Sequence, residues 1–240
     1  MSDAARTAAP PPAFLEACAA HGLELSAAQL QLLQRYLDRL LAVNQQLNLT
    51  AVRDADTAWM RHIFDSIWVG ITLKRDPGQQ AVDLGSGGGL PGIPLAILFP
   101  EIRWTLVDSV GKKVRFLEET AAELGLENVR ARCVRAEVLG REAEVRAQVH
   151  VVTARAVARL PVLLEYAVPL LRDKGLFYAM KGEKALEELA EAGRAMERLG
   201  VRLLRKTPTP EGGVLLVFKK HGPTPGKYPR PVGVPAKEPI

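Results

Sequence analysis

The sequence has 240 residues, of which 48% are hydrophobic and 25% are charged. These values are ordinary for a soluble globular protein and allow one large domain, or one domain with a small appendage. No apolar run approaches the roughly 18–20 residues that span a bilayer, and no hydrophobic signal region follows the N-terminus, so neither membrane insertion nor secretion is expected. Cys18 and Cys133 have no close Cys or His partner in sequence, which excludes disulfide scaffolds and zinc ribbons and favours a reducing cytoplasm.

Charge is unevenly distributed along the chain. The formal net charge is +5, but residues 1–80 carry −1 and residues 201–240 carry +6. A basic end can contact phosphates, and Arg, which outnumbers Lys here, binds them in bidentate fashion. Basic tails also simply keep proteins soluble, so charge alone leaves nucleic-acid binding open.

The N-terminal part of the chain predicts a mobile segment followed by helices. Residues 1–13 are rich in Ala and Pro, and we expect them to be mobile. Residues 14–78 are predicted to form an N-terminal helical region. Within it, Ser26 followed by Gln29 predicts a capping box, after which leucines recur at helical spacing.

A second helix is predicted over Thr57–Leu73. Its apolar residues share one face, whereas Arg61, His62 and Asp65 fall on another. The turn Lys74–Gly78 ends the helical region.

Strands and helices alternate through most of the next region, which covers residues 79–221. Five strands are predicted, at Ala81–Leu84, Arg103–Asp108, Val129–Arg135, Val149–Ala154 and Gly175–Met180. The intervening helices are predicted at Leu90–Leu98, Lys112–Leu124, Pro161–Leu171 and Glu183–Leu199. This alternation indicates an α/β fold with a doubly wound, mostly parallel sheet.

The end of the chain departs from that alternation. Val201–Lys206 and Val214–Lys219 both have strand character, and the residues between them are too few for a crossover helix. They therefore predict an antiparallel hairpin at the end of the sheet. Residues 222–240 are basic and rich in Pro and Gly, which predicts an extended tail.

A glycine cluster, Gly85–Gly89, directly follows the first predicted strand. Glycine lets the backbone approach a ligand at the carboxyl edge of a parallel sheet, although a purely structural tight turn has the same composition. Asp108 lies about twenty residues further on, at the end of the second strand, where a carboxylate can accept both hydroxyls of a ribose. Its alternative role is to cap the following helix. Together the two features indicate a ligand that contains adenosine.

Two prolines bear on the identity of that ligand. A dinucleotide site uses free N–H groups at the helix N-terminus to bind pyrophosphate. Pro91 and Pro94 lie at this helix start and lack that donor, although Pro is also favoured there for structural reasons. With fewer N–H donors at the helix start, a ligand without phosphates is favoured over the nicotinamide dinucleotide of a dehydrogenase. S-adenosylmethionine is such a ligand. The terminal hairpin agrees, since it suits the seven-stranded methyltransferase sheet.

Several segments taken together are specific. They are Asn48-Leu49-Thr50, Arg61-His62-Ile63-Phe64-Asp65-Ser66, Val82-Asp83-Leu84-Gly85-Ser86-Gly87-Gly88-Gly89-Leu90-Pro91-Gly92-Ile93-Pro94, Leu106-Val107-Asp108-Ser109, Ala136-Glu137, Arg155-Ala156 and Lys181-Gly182. On these segments the chain resembles the bacterial small-subunit ribosomal RNA methyltransferase G family, also called glucose-inhibited division protein B, from about Leu30 to Lys219. The resemblance implies a Rossmann-like class I methyltransferase fold with an N-terminal helical extension. It also implies S-adenosylmethionine-dependent methylation of guanine N7 in the 530 loop of 16S ribosomal RNA, on the RNA or the small subunit.

The resemblance further implies roles for individual residues. Asp83 orients the ammonium group of the cofactor, Asp108 binds its ribose, and Ala136 and Glu137 meet its adenine. Arg155 borders the cofactor and the incoming nucleotide, unless it only forms a salt bridge that closes the crevice. The remaining cofactor positions in the glycine loop and after the second strand are Gly85, Gly87, Gly89, Leu90 and Ser109.

Three side chains are RNA-binding candidates: Arg61, His62 and Lys181. Each also has a structural alternative. His62 and Asp65 lie one helical turn apart and can pair with each other, and Lys181 can form an ion pair instead of a phosphate contact. Three tryptophans are expected to pack rather than to stack on bases, namely Trp59, Trp68 and Trp104.

The implied chemistry makes few demands on side chains. Guanine N7 carries a lone pair and no hydrogen, so methyl transfer needs proximity and in-line orientation rather than a general base. We therefore expect neither an obligate catalytic residue nor a metal, with Arg155 as the candidate positioning group. The non-catalytic alternative is an RNA-binding or ribosome-assembly factor on the same fold. The sequence leaves the oligomeric state open.

Overall fold

The computed structural model describes residues 9–73 and 78–240. The first eight residues of the N-terminal segment expected to be mobile, and Lys74–Pro77 of the turn expected after the helical region, lie outside the described residues. Within the described ranges, none of the helices combines the length and apolar character that crossing a membrane requires.

A seven-stranded sheet in the order β3-β2-β1-β4-β5-β7-β6 forms the centre of the fold. The first five strands pair in parallel, and β7 pairs antiparallel with both β5 and β6. The predicted class I methyltransferase fold, with its terminal hairpin, is therefore confirmed. The strands are β1 Gln80–Leu84, β2 Arg103–Asp108, β3 Val129–Cys133, β4 Val149–Arg155, β5 Leu171–Lys181, β6 Val201–Pro208 and β7 Val214–Lys220.

Helices cover both faces of the sheet. Within the described residues they are α1 Pro12–Ala20, α2 Ala27–Leu47, α3 Ala55–Ala58, α4 Asp65–Thr72, α5 Gly92–Leu98, α6 Gly111–Leu124, α7 Ala136–Leu139, α8 Leu160–Ala167, α9 Ala185–Glu191, α10 Gly193–Leu199 and α11 Val234–Lys237. The N-terminal helices, α5 and α6 share one apolar core, whereas α8, α10 and the C-terminal residues share the other. Trp59 and Trp104 are fully buried and Trp68 packs against the first core, so the prediction that the tryptophans pack is confirmed.

The long helix α2 begins as its sequence predicts. The Ser26 hydroxyl accepts from the Gln29 backbone N–H at 3.2 Å, and the Gln29 side chain accepts from the Ser26 N–H at 3.0 Å. This capping box is therefore confirmed, and it satisfies two donors that a helix start leaves unpaired. Leu33, Leu37 and Leu40 are buried on the side of α2 that packs against α5 and α6.

The single helix predicted over Thr57–Leu73 is instead three consecutive pieces. A π-helical segment, Trp59–Phe64, lies between α3 and α4. Its wider turn shifts the phase of the side chains that follow, so Ile71, predicted on the apolar face, is 41% exposed. The same segment contains His62, which is buried although the sequence placed it on a polar face.

Two other boundaries differ from the prediction. The helix predicted over Glu183–Leu199 divides at Ala192, directly before Gly193, which is a weak helix former. The strand predicted from Gly175 begins at Leu171, where it pairs with Val149 of β4. The sequence alone assigns Leu171 to the end of the preceding helix, because buried helix and buried strand share an apolar composition.

The predicted extended tail is wrong, because residues 222–240 fold back onto the domain. Arg230 binds the fully buried carboxylate of Glu165 through both its backbone N–H, at 2.7 Å, and its guanidinium group. The Arg146 guanidinium donates to the carbonyls of Thr224 and Tyr228, and the Tyr228 ring is buried. A sequence without periodicity does not reveal such docking, since the partners are far away in the chain.

Replacing Arg230 with Ala is expected to lower the free energy of unfolding by about 3 kcal/mol, because it leaves the Glu165 carboxylate buried without its cation. Urea denaturation followed by circular dichroism measures this. Lys237→Ala, an exposed cation of the same segment, is the matched control and should change stability little. Equal stability of the two variants would contradict the assigned role of the pair.

Candidate cofactor and substrate site

The loop after β1 brings the predicted glycine cluster to the carboxyl edge of the sheet. Gly87 has φ +56° and a Cβ there would meet only a backbone oxygen at 3.8 Å, so the backbone at Gly87 is open to a ligand. At Gly89, in contrast, a Cβ would lie 2.5 Å from Ile93, which makes this glycine a packing residue. The Leu90 side chain likewise belongs to the core, and Gly85 faces the side chain of Val157.

Asp83 lies beneath this loop. The β1–β4 register places it beside Thr153, whose hydroxyl donates to Oδ1 at 2.8 Å, while the Ser86 hydroxyl and the Gly92 N–H donate to Oδ2 at 2.5 and 3.2 Å. Burial raises the pKa of this carboxyl to about 6, although the three donors oppose that change. Because Asp83 is 0% exposed, the predicted direct contact with a ligand ammonium group is not supported. It braces the loop instead.

Asp108, at the end of β2, connects the glycine loop to α6. Its Oδ2 accepts from the Gly87 N–H at 3.0 Å, and its Oδ1 accepts from the Val110 N–H at 2.9 Å. The carboxylate thus closes a turn before α6 and also fixes the backbone of the glycine loop at Gly87. Ser109, directly beside it, is exposed. Both predicted interpretations of Asp108, ligand contact and helix start, are compatible with this position.

Three exposed valines lie beyond the carboxyl ends of neighbouring strands, and the sequence interpretation missed them. Val110 follows β2, Val138 follows β3 and Val157 follows β4, with exposed fractions of 45%, 44% and 36%. The only signal for them in the sequence is that each is an apolar residue shortly after the end of a strand. Each of these segments therefore exposes an apolar side chain, which suits contact with a flat heterocyclic ring.

Glu137 follows β3 in the short helix α7, next to Ala136. Its side chain is buried and accepts from the Gly233 N–H at 3.0 Å, and it also contacts the Tyr166 hydroxyl. Burial and this carboxylate raise the pKa of Tyr166 to about 12. The Glu137 carboxylate therefore binds the C-terminal segment. The predicted adenine contact is left to the backbone of Ala136 and Glu137.

Arg155 ends β4 and is followed by Ala156, which has φ +54°. Its Nη2 donates to the Arg61 carbonyl at 2.7 Å and lies 4.0 Å from Asp65 Oδ2. Its Nη1 is buried and, within the described part of the chain, has no hydrogen-bond partner. Burial lowers the pKa of this guanidinium, and Asp65 opposes that change. The loose pair with Asp65 leaves one face of Arg155 available to a ligand.

The remaining candidates divide into one exposed and two buried side chains. Arg61 is 57% exposed and lies 3.6 Å from Glu211. Lys181 is only 8% exposed, because its ammonium donates to Glu188 and to a backbone carbonyl, both within 2.8 Å. The structure therefore supports the ion-pair alternative for Lys181 rather than the predicted RNA contact.

His62 is also buried, and its partner differs from the predicted one. Its Nε2 lies 2.5 Å from the Thr50 hydroxyl, whereas the expected pair with Asp65 is not formed. Burial, followed by the nearby Arg155 charge, lowers the pKa of His62 to about 4. A neutral, enclosed imidazole joins two parts of the N-terminal region and does not bind phosphate, so the RNA-binding prediction for His62 is not supported.

This lowered pKa has a measurable consequence for stability. Between about pH 7.5 and about pH 4.5 the unfolded chain binds a proton at His62 that the folded protein excludes, so stability falls as the pH decreases through this window. Wild-type protein should therefore lose on the order of 2 kcal/mol more of its unfolding free energy than His62→Gln over this range. Urea titrations at the two pH values measure the difference. The exposed His221→Gln is the control, and identical pH profiles for wild type and His62→Gln would rule out the buried neutral imidazole.

A cavity of about 670 Å³ opens beside Arg155. Its walls are the loop 50–52, the π-helical segment, the carboxyl ends of β4 and β5, and the β6–β7 hairpin. This volume suits a ligand the size of a nucleotide. Arg155 lies between this cavity and the glycine loop, since it lines the cavity and the β1–β4 register, which pairs Leu84 with Ala154, places it beside Gly85. Within residues 9–73 and 78–240 no cluster of three or more His, Cys, Asp or Glu side chains is placed to hold a metal ion.

Comparisons with solved structures agree with this architecture. A S-adenosylmethionine-dependent methyltransferase from Aquifex aeolicus superposes with a TM-score of 0.54 at 17% identity, covering 65% of this chain and 90% of that one. The [4+2]-cyclase SpnF superposes with a TM-score of 0.58 at 15% identity, covering 80% and 96%. At such low identities these similarities establish the fold alone, and a cyclase among them shows that the fold does not determine the reaction.

Sequence comparisons are more specific. A protein named ribosomal RNA small subunit methyltransferase G from an Exiguobacterium species is 41% identical to this chain, over 95% of this chain and 98% of the relative. A protein of the same name from Roseiflexus castenholzii is 44% identical, over 91% of this chain and 95% of the relative. The protein of that name from Deinococcus radiodurans is 46% identical over 86% of this chain and 83% of its own. The family model for rRNA small subunit methyltransferase G matches residues 29–210. The chain therefore belongs to the rRNA small subunit methyltransferase G family.

Proposed function

We propose that this protein transfers a methyl group from S-adenosylmethionine to N7 of a guanine in the 530 loop of 16S ribosomal RNA. The observation that carries the proposal is the position of Arg155, between an open glycine loop and a nucleotide-sized cavity. The names of the relatives support ribosomal RNA of the small subunit as the substrate. The assignment of guanine as the base and of N7 as the methylated atom rests on the resemblance to the family.

The edge of the sheet fits the cofactor. The open backbone at Gly87 suits its methionine portion, and the Asp108 carboxylate, 7% exposed, suits its ribose hydroxyls. Val110 and the backbone of Ala136 and Glu137 suit its adenine ring. When bound there, S-adenosylmethionine supplies an electrophilic methyl group.

The residues around the cavity suit a reaction that moves no proton. Guanine N7 already has a free lone pair, and the buried His62, whose pKa is about 4, is occupied by Thr50. The contribution of the chain is to hold the base and to exclude water, and positioning of this kind can supply up to about 7–11 kcal/mol of rate acceleration. In this proposal Arg155 positions the base, and the support for that role is its Nη1, which has no partner among the described residues.

RNA contacts in this proposal come from the rim of the cavity. Arg61 and Lys184 are exposed there, beside the carboxylates of Glu183 and Glu211, and are the cations available to contact phosphates. The pair of Arg61 with Glu211, 3.6 Å apart and partly exposed, is weak enough for a phosphate to replace it.

Methyl incorporation tests the proposal. Small-subunit RNA and small subunits that lack the modification are incubated with S-adenosylmethionine radiolabelled on its methyl group, and the labelled nucleotide is mapped. We expect saturable labelling that yields 7-methylguanine in the 530 loop. Label at another base would contradict the guanine N7 assignment, and tight RNA binding without label would support the non-catalytic assembly factor instead.

A further inference from the structure

Two buried polar atoms on the cavity wall lack hydrogen-bond partners among the described residues. They are Oδ1 of Asp65 and Nη1 of Arg155, in side chains that are only 14% and 22% exposed. Native proteins satisfy nearly all buried polar atoms, because an unsatisfied one costs its full desolvation free energy. An acceptor and a donor left open together on one wall indicate a ligand that supplies the complementary groups.

The pair does not satisfy itself. Arg155 Nη2 is committed to the Arg61 carbonyl at 2.7 Å and stays 4.0 Å from Asp65 Oδ2, too far for a hydrogen bond. The Thr209 side chain of the β6–β7 hairpin hydrogen-bonds the Asp65 carboxylate, and the Glu211 charge of the same hairpin acts on it. Burial and Glu211 raise the pKa of Asp65, whereas Arg155, Arg61 and Thr209 favour its ionised form.

The order of groups along the wall matches the perimeter of guanine. Asp65 Oδ2 lies 4.0 Å from Arg155 Nη2, and the β1–β4 register pairs Leu84 with Ala154, which places Arg155 beside Gly85. Arg155 therefore lies between Asp65 and the glycine loop. Guanine presents the N2 amino and N1–H donors, then the O6 acceptor, and then N7. A carboxylate accepts the two donors and a guanidinium donates to O6, which leaves N7 toward the glycine loop. Adenine has an acceptor at N1, which would face the carboxylate unfavourably.

On the basis of the proposed function, we propose that Asp65 selects guanine by accepting hydrogen bonds from its N1–H and N2 amino groups, while Arg155 Nη1 donates to O6. Asp65 then sets the specificity of the reaction without taking part in methyl transfer. Sites that pair the polar edge of a substrate reject analogues that lack a partner group, because the buried protein atom is left unsatisfied.

Base analogues test this inference. Inosine retains N1–H, O6 and N7 and lacks only the N2 amino group, so it is placed at the methylated position of ligated small-subunit RNA. Wild-type protein should methylate the guanine RNA about 10–100 times faster than the inosine RNA. Asp65→Ala should methylate both slowly and with rates within about threefold of each other, because no carboxylate remains to be left unpaired.

The ratio of the two rates is measured within each enzyme, so a general loss of stability cancels. Asp65→Asn, which preserves side-chain volume, should also reduce the ratio and guards against misfolding of the Ala variant. Asp56→Asn removes an exposed carboxylate of the same helical region and should retain the wild-type ratio. An unchanged ratio in both Asp65 variants, or equal wild-type rates on the two RNAs, would overturn the specificity role while leaving the proposed function intact. Failure of wild-type protein to label the guanine RNA would instead overturn the proposed function itself.

Discussion

Replacing Arg155 with Ala is expected to slow methyl transfer about 100-fold while leaving the affinity for S-adenosylmethionine within about threefold of the wild-type value. The guanidinium lies on the cavity side of the glycine loop, where its Nη1 is placed to hold the base. Loss of one positioning hydrogen bond from a charged donor, about 1.5–3 kcal/mol, corresponds to roughly 10–100-fold in rate. Misplacement of the base adds to this loss.

Arg155 also has a structural contact, and the measurements must separate the two effects. Its Nη2 holds the Arg61 carbonyl of the π-helical segment, so some loss of stability accompanies the substitution. Single-turnover methylation, cofactor titration and urea denaturation are therefore compared for Arg155→Ala and Arg155→Lys. Lys retains the charge but not the planar, two-pronged donor, so it should recover stability better than rate. Parallel loss of rate and stability in both variants would reduce Arg155 to a structural residue.

Replacing Asp108 with Ala is expected to weaken S-adenosylmethionine binding about 10–100-fold. Two effects combine in this prediction. The variant removes the carboxylate proposed to accept the ribose hydroxyls, and it releases the Gly87 N–H that the same carboxylate holds at 3.0 Å. Each charge-assisted hydrogen bond contributes about 1.5–3 kcal/mol, and the loosened loop must be reordered when the cofactor binds.

Calorimetric titration with S-adenosylmethionine and with 2′-deoxyadenosine and adenosine distinguishes these effects. A ribose contact predicts that wild-type protein binds adenosine more tightly than its 2′-deoxy analogue and that Asp108→Ala abolishes this preference. Glu101→Ala, an exposed carboxylate that precedes β2, is the control and should bind like wild type. Retention of the preference in Asp108→Ala would assign the residue to loop structure alone.

The sequence contained enough information to predict the parallel part of the sheet, because strand and helix periodicities differ and a short connection such as residues 207–213 permits only a hairpin. The capping box at Ser26 could be predicted for the same reason, since both partners lie within three residues. The segment containing Asp83, Gly87 and Asp108 was also placed correctly at one edge, because carboxyl ends of parallel strands meet there.

The roles of the residues at that edge depend on contacts between residues that are distant in the chain. Local spacing paired His62 with Asp65, whereas the folded chain pairs it with Thr50 of the preceding loop. The sequence left an RNA contact and an ion pair open for Lys181, and the structure pairs it with Glu188 of α9. The π-helical turn that buries His62 has no signal in the hydrophobic pattern, because it adds a residue to a turn without changing composition.

By itself, then, the sequence determined that the sheet is mostly parallel with a terminal hairpin, where the glycine loop lies, and the family to which the chain belongs. Each of these depends on the succession of elements along the chain or on motifs that the sequence contains. Only the tertiary structure decided that Asp83 is enclosed and that residues 222–240 dock on Glu165 and Glu137. It also decided that Asp65 and Arg155 line one cavity and that each has a buried polar atom without a partner in the described part of the chain. The physical reason is that burial and hydrogen-bond satisfaction are properties of the packed chain, and a residue acquires them from partners that its own sequence neighbourhood does not contain.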